Sequence, residues 1–135
     1  MVTRFAFFEG QVKNGQTYAY RAAVTQRLVS LWRQFPGATE VRVMFGSNSD
    51  PGAPEFPQIL AICYPSRAEM TAALFSTERA KSRDMTGLIV AEFFDGHLHQ
   101  HVTADFEHKI RPRRCDVVDA AVMARCLSYS PKIGQ

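Results

Sequence analysis

The sequence has little cysteine and no pattern for using it. Cys63, Cys115 and Cys126 are an odd set of three without a C-x-x-C pair, which argues against a disulfide framework or a zinc knuckle. Reduced thiols in a cytoplasm suit such a chain. No apolar run approaches the ~20 residues that span a bilayer. The opening MVTRFAFFEG has one arginine and then four apolar residues before Glu9, too short for a secretory h-region. A dominant charge is missing too. The 16 basic and 13 acidic residues leave a formal +3, which makes no case for nucleic acid. No membrane partner and no nucleic-acid partner are expected. No short motif in the chain names a reaction.

What is present is one domain's worth of chain. Its 135 residues, 46% of them hydrophobic, can bury a core without staples. Residues 3–9, TRFAFFE, read as a strand apolar on both faces, and VKNGQ turns the chain. Val24, Leu28, Leu31, Trp32 and Phe35 then form one helical stripe, with Thr17 as expected N-cap and Pro36-Gly37 as stop. Tyr20 lies on that stripe one turn earlier, so its hydroxyl needs a buried partner. Residues 39–46 alternate, with Val41, Val43 and Phe45 on one side and Arg42 and Met44 on the other, a half-covered strand. The loop 47–57 is long for a strand-to-strand link and reads either as a lid or as a tolerated insertion. QILAICY, 58–64, is a second strand apolar on both faces. Ser66-Arg67-Ala68-Glu69 is a capping box that opens a second helix. That helix breaks near Ser76-Thr77 and resumes with Met85, Leu88, Ile89 and Phe93 as its expected buried stripe. Asp95-Gly96 reads as a turn, and a last strand runs to about Asp105.

Strand, helix, strand, strand, helix, strand folds as two right-handed crossovers into one four-stranded antiparallel sheet backed by two helices. This is the ferredoxin-like α+β arrangement. Its first and third strands are central, and they are the two that are apolar on both faces. Residues 1–105 make this domain. Residues 106–135, with the basic run HKIRPRR and room for a short helix over 116–127, form a C-terminal extension. Two helices cover one face of the sheet, so the other needs a cover. A second copy on a two-fold axis is the simplest one, and a homodimer is expected.

The segments PQILAICYPSRAEMTAAL (57–74), STERAKSRD (76–84) and FFDGHLHQHV (93–102) resemble the dimeric α/β barrel superfamily, and within it the EthD-like and stress-responsive barrel relatives. The resemblance covers roughly residues 3–105. It implies a ligand pocket inside each subunit, between sheet and helices. Members include monooxygenases that use no cofactor, decarboxylases, isomerases, haem-degrading enzymes and many proteins of no known activity, so the fold leaves the reaction open.

His97, His99 and His101 stand at every second position of the last strand and share a face. Three readings are open. Two neighbouring rings plus a carboxylate such as Glu9, Asp84 or Glu92 could hold a zinc, iron or copper ion. One or two rings, His99 first and His97 second, could face the pocket as proton acceptor or donor. Or the row is the polar face of an edge strand, with Leu98 and Val102 on the core face and Gln100 among them at some cost. No metal and no cofactor are assigned. Tyr20, Trp32, Tyr64 and Arg42 are the candidate substrate contacts, the arginine as a clamp for an anion. The leading expectation is a small cytosolic, EthD-like, cofactor-independent enzyme acting on a hydrophobic, aromatic or polyketide-like ligand. The alternative is a non-catalytic small-molecule-binding or stress-related dimer, which a pocket without an inward histidine favours. An RNA-binding role shares the strand order, but QILAICY lacks the basic-glycine-aromatic pattern it requires.

Overall fold

The computed structural model describes residues Met1–Asp105. The expected C-terminal extension, with HKIRPRR and the segment 116–127, lies outside the described residues. Four strands, β1 (Val2–Val12), β2 (Glu40–Phe45), β3 (Gln58–Tyr64) and β4 (Phe94–Ala104), form one sheet in the order β2-β3-β1-β4. Every neighbouring pair is antiparallel. The two central strands are those that are apolar on both faces. This is the ferredoxin-like fold.

The first helical region follows the predicted stripe, with one irregularity. Helix α1 (Thr17–Ala23) passes through a π-helical turn at Val24–Leu28 into α2 (Val29–Arg33). The buried residues Tyr20, Val24, Leu28 and Trp32 are spaced by four throughout. A regular α-helix advances 100° per residue, so each such step drifts by about 40°. The wider π turn takes back part of that drift and holds the stripe on the sheet. Thr17 is the first helical residue and not the cap. Gln16 holds the cap position without a side-chain hydrogen bond.

The second region is α3 (Arg67–Leu74) and α4 (Thr77–Phe93). Ser66 and Ser76 cap them, accepting from the Glu69 amide at 3.3 Å and the Arg79 amide at 3.2 Å. Ile89 and Phe93 are buried as predicted and Met85 is partly buried, but Leu88 is 64% exposed. Its place toward the sheet is taken by the buried Ser82, whose hydroxyl accepts from Trp32 Nε1 at 3.0 Å. Helix α4 runs straight into β4, so Asp95 and Gly96 lie within the strand. Gly96 pairs with Gly10 of β1. Gly10 has φ +139°, and a Cβ there would strike the Asp95 carbonyl.

Phe8, Leu60, Ile62 and Tyr64 point toward the helices and pack with Trp32, Phe35, Met70 and Ile89 as the core. Phe5, Phe7, Ile59 and Ala61 alternate with these residues and so lie on the opposite face. Among the described residues no helix covers that face.

Candidate functional site

A cavity of about 480 Å³ lies between the sheet and α4. Its apolar wall is Ala6 and Phe8 from β1, Leu60 and Ile62 from β3, Trp32 and Val90 from the helices, and Phe35 from the turn after α2. Tyr64, Arg4, Arg79, Arg83 and Gln100 supply polar atoms. Arg4 enters from the strand because it alternates in step with Val2, Ala6 and Phe8, all buried on the helix side. Arg79 and Arg83 enter from α4, with Ser82, Thr86 and Val90 on the same side of that helix. Burial lowers the pKa of the Arg4 guanidinium, and the nearby Arg79 charge lowers it further. Burial raises the Tyr64 hydroxyl, while Arg4 and Arg79 pull it back in part.

Two of the six candidate residues, Trp32 and Tyr64, line this cavity. His99 and His97 do not. They pair in register with Phe7 and Glu9 of β1, which carries them to the face opposite the helices. The expectation of an inward histidine is thereby corrected. Leu98 and Gln100 are the β4 residues that line the cavity, so the row is the outer face of an edge strand. There His99 stacks on Phe7 with ring centroids 5.6 Å apart, and its Nδ1 lies 2.9 Å from His101 Nε2. Its Nε2 lies 3.3 Å from Glu9 Oε1. Among the described residues no group of three histidine, cysteine or acidic side chains is arranged to hold a metal.

Arg42 is likewise on the outer face, opposite Ala61 of β3. Its guanidinium is 3.8 Å from Glu40, in an exposed pair, so it clamps nothing in the pocket. Tyr20 is 1% exposed and donates its hydroxyl to the Gln58 side-chain carbonyl. It lines a second cavity of about 570 Å³, between α1 and the loop before β3. The loop 47–57 borders this second cavity and not the one between sheet and α4. The loop is tied to the sheet by Gly10 N to Glu55 O and Gly46 N to Pro57 O, each 3.0 Å. This sets Phe56 on the outer face, 5.4 Å from Phe7.

Sequence reasoning missed Arg4, Arg79 and Arg83, while it placed Gln100 on the core face in one of its readings. Arg4 had a signal. It is a charged residue at a core-facing position of a strand that must be covered on both sides. Arg79 and Arg83 had only a weak one, because polar residues on a helix ordinarily face water.

No family profile matches the chain, and no curated protein does. Solved structures do. An ethyl tert-butyl ether degradation (EthD) family protein from Bacillus halodurans superimposes with a TM-score of 0.61 at 20% identity, covering 78% of this chain and 99% of that one. What that structure shares with this chain is the ferredoxin-like fold. SnoaB, a cofactor-independent oxygenase from Streptomyces nogalater, shares that fold with a TM-score of 0.56 at 10% identity, over 82% of this chain and 96% of its own. A dimeric protein of unknown function and ferredoxin-like fold from Bacteroides fragilis matches with a TM-score of 0.53 at 12% identity, over 77% and 95%. At these identities the likeness is one of fold. Among the described residues no helix is long and apolar enough to cross a membrane.

Proposed function

We propose that the protein is a cytoplasmic homodimer that binds a hydrophobic small molecule, aromatic or polyketide-like in shape, in the cavity between sheet and α4. The observation that carries this reading is the cavity itself, about 480 Å³ with an aromatic and aliphatic wall and a few convergent polar groups. Ligand sites for small molecules have this make-up. Among the described residues no histidine or carboxylate lines it, which leaves His99 and His97 without a place in proton transfer there. That favours the binding reading over the enzymatic one. One observation favours catalysis without a cofactor: the Tyr64 hydroxyl shares the cavity with cationic groups able to stabilise a developing oxyanion. The dimer is supported by the outer face, where Phe5, Phe7, Phe56, His99 and His101 surround a shallow concavity of about 350 Å³.

The test uses Trp32, the only tryptophan in the chain and part of the cavity wall. Titration with a neutral naphthalene alcohol is expected to quench its fluorescence saturably. Gly87 offers a control because it lines the cavity and a Cβ there meets nothing within 4 Å. Gly87→Ala is expected to stabilise the protein by ~0.5–1 kcal/mol, since glycine is costly inside a helix. Gly87→Phe is expected to weaken the probe at least tenfold by occupying its space. Linear, non-saturating quenching by the wild type would sink the binding reading.

A further inference from the structure

We infer that the sheet–helix cavity selects an anion, and that its ligand is an elongated hydrophobic molecule with an oxyanion at one end, an aryl carboxylate or a phenolate-type group. This deepens the binding role proposed above and rests on it.

Charge balance in the cavity carries the inference. Arg4, Arg79 and Arg83 all line it, and among the described residues no aspartate or glutamate does. Among the described residues none of the three forms a salt bridge. Arg4 and Arg79 are half-buried, so their charges are only partly served by water. Like charges gathered against an apolar wall are unfavourable unless an opposite charge joins them. Nothing in the fold requires arginine at position 4, where the neighbouring inward residues of β1 are Val2 and Ala6.

The cavity is also polar in the sense of having two ends. Tyr64 pairs with Val2 and Arg4 with Ile62, so tyrosine and arginine are diagonal neighbours at one end of the sheet. Arg79 is in the first turn of α4, while Val90 lies eleven residues later, or ~16 Å along the axis at 1.5 Å per residue. On β1, Phe8 stands four residues beyond Arg4, or ~13 Å. The cationic group and the apolar wall of Phe8 and Val90 are therefore separated along the cavity. An anion would take two guanidinium groups and a phenolic donor at one end, with bidentate geometry open to each arginine. Its ring system would lie toward Phe8, Trp32 and Leu60.

The experiment compares two probes of nearly equal shape, 2-naphthoate and 2-naphthalenemethanol, by Trp32 quenching and by calorimetry on the full chain. Naphthoate is expected to bind at least tenfold tighter at 50 mM salt, and the preference should shrink at 500 mM. Arg79→Gln and Arg4→Met should each cut that preference several-fold while leaving the affinity for the alcohol within about twofold. Arg79 is at the helix surface, so its variant is readable even if Arg4→Met fails to fold. Equal affinity for both probes, or a preference untouched by Arg79→Gln, overturns the anion site and leaves the binding role standing. No binding of either probe overturns both.

Discussion

Phe7→Asp is expected to convert the proposed dimer to monomer, with the dissociation constant weakened about a thousandfold. Phe7 is the centre of the outer face. Its ring lies 5.7 Å from Phe5, 5.4 Å from Phe56, 5.6 Å from His99 and 5.3 Å from His101. A two-fold interface uses each residue twice. Loss of a central aromatic anchor costs ~2 kcal/mol or more, and two such losses amount to ~4 kcal/mol, or about three decades in affinity. A carboxylate in place of the ring adds the cost of desolvating a charge. The core lies on the other side of the sheet, so the variant should stay folded and its circular dichroism unchanged. Sedimentation velocity across a dilution series reads the result. A wild-type chain that stays monomeric at tens of micromolar would remove the dimer.

The second large effect is expected at the Tyr20–Gln58 pair. Gln58 is 0% exposed at the start of β3, with Oε1 accepting from the Tyr20 hydroxyl. Its Nε2 has no partner among the described residues. Tyr20→Phe leaves the whole buried amide unpaired, at a cost of ~1–3 kcal/mol. Gln58→Met leaves the tyrosine hydroxyl unpaired in its place and should cost a similar amount. The double variant removes both polar groups and keeps the volume. It should fall within ~0.5 kcal/mol of wild type, giving a coupling energy near the sum of the two single-variant losses. Thermal or urea unfolding of the four proteins measures this, and strictly additive losses would sink it. Burial also holds the Tyr20 hydroxyl above the ordinary tyrosine range. A group whose ionisation is suppressed by folding contributes its stability below the unfolded pKa, and that contribution is lost as pH rises beyond ~10. Tyr20→Phe should flatten this alkaline loss.

Much of the fold could be read from residue order because its causes are local. QILAICY and TRFAFFE carry apolar side chains at successive positions, and only a strand covered on both faces tolerates that. The spacing of Val24, Leu28 and Trp32 commits the first helical region to one buried face. Ser66 and Ser76 mark two helix starts because a hydroxyl there meets an amide three residues on. These features place β1 and β3 at the centre of the sheet and point to a ferredoxin-like domain. The π turn at Val24–Leu28 was not legible. It answers a drift that matters only when the helix lies against a sheet.

The site was less legible, for a reason that lies in strand geometry. Period-two alternation states which side chains share a face, but not which face the helices will cover. In β4 that choice separates His97, His99 and His101 from Leu98, Gln100 and Val102, and pairing with β1 made it: Phe7 takes His99 outward, and Phe8 takes Leu98 inward. The same non-local register carries Arg4 into the cavity and Arg42 out of it. Patterning and capping, which depend on near neighbours, were enough for the elements and their order. The cavity, the three arginines that line it and the partner of Tyr20 depend on residues dozens of positions apart, and these meet only when the sheet closes on its helices.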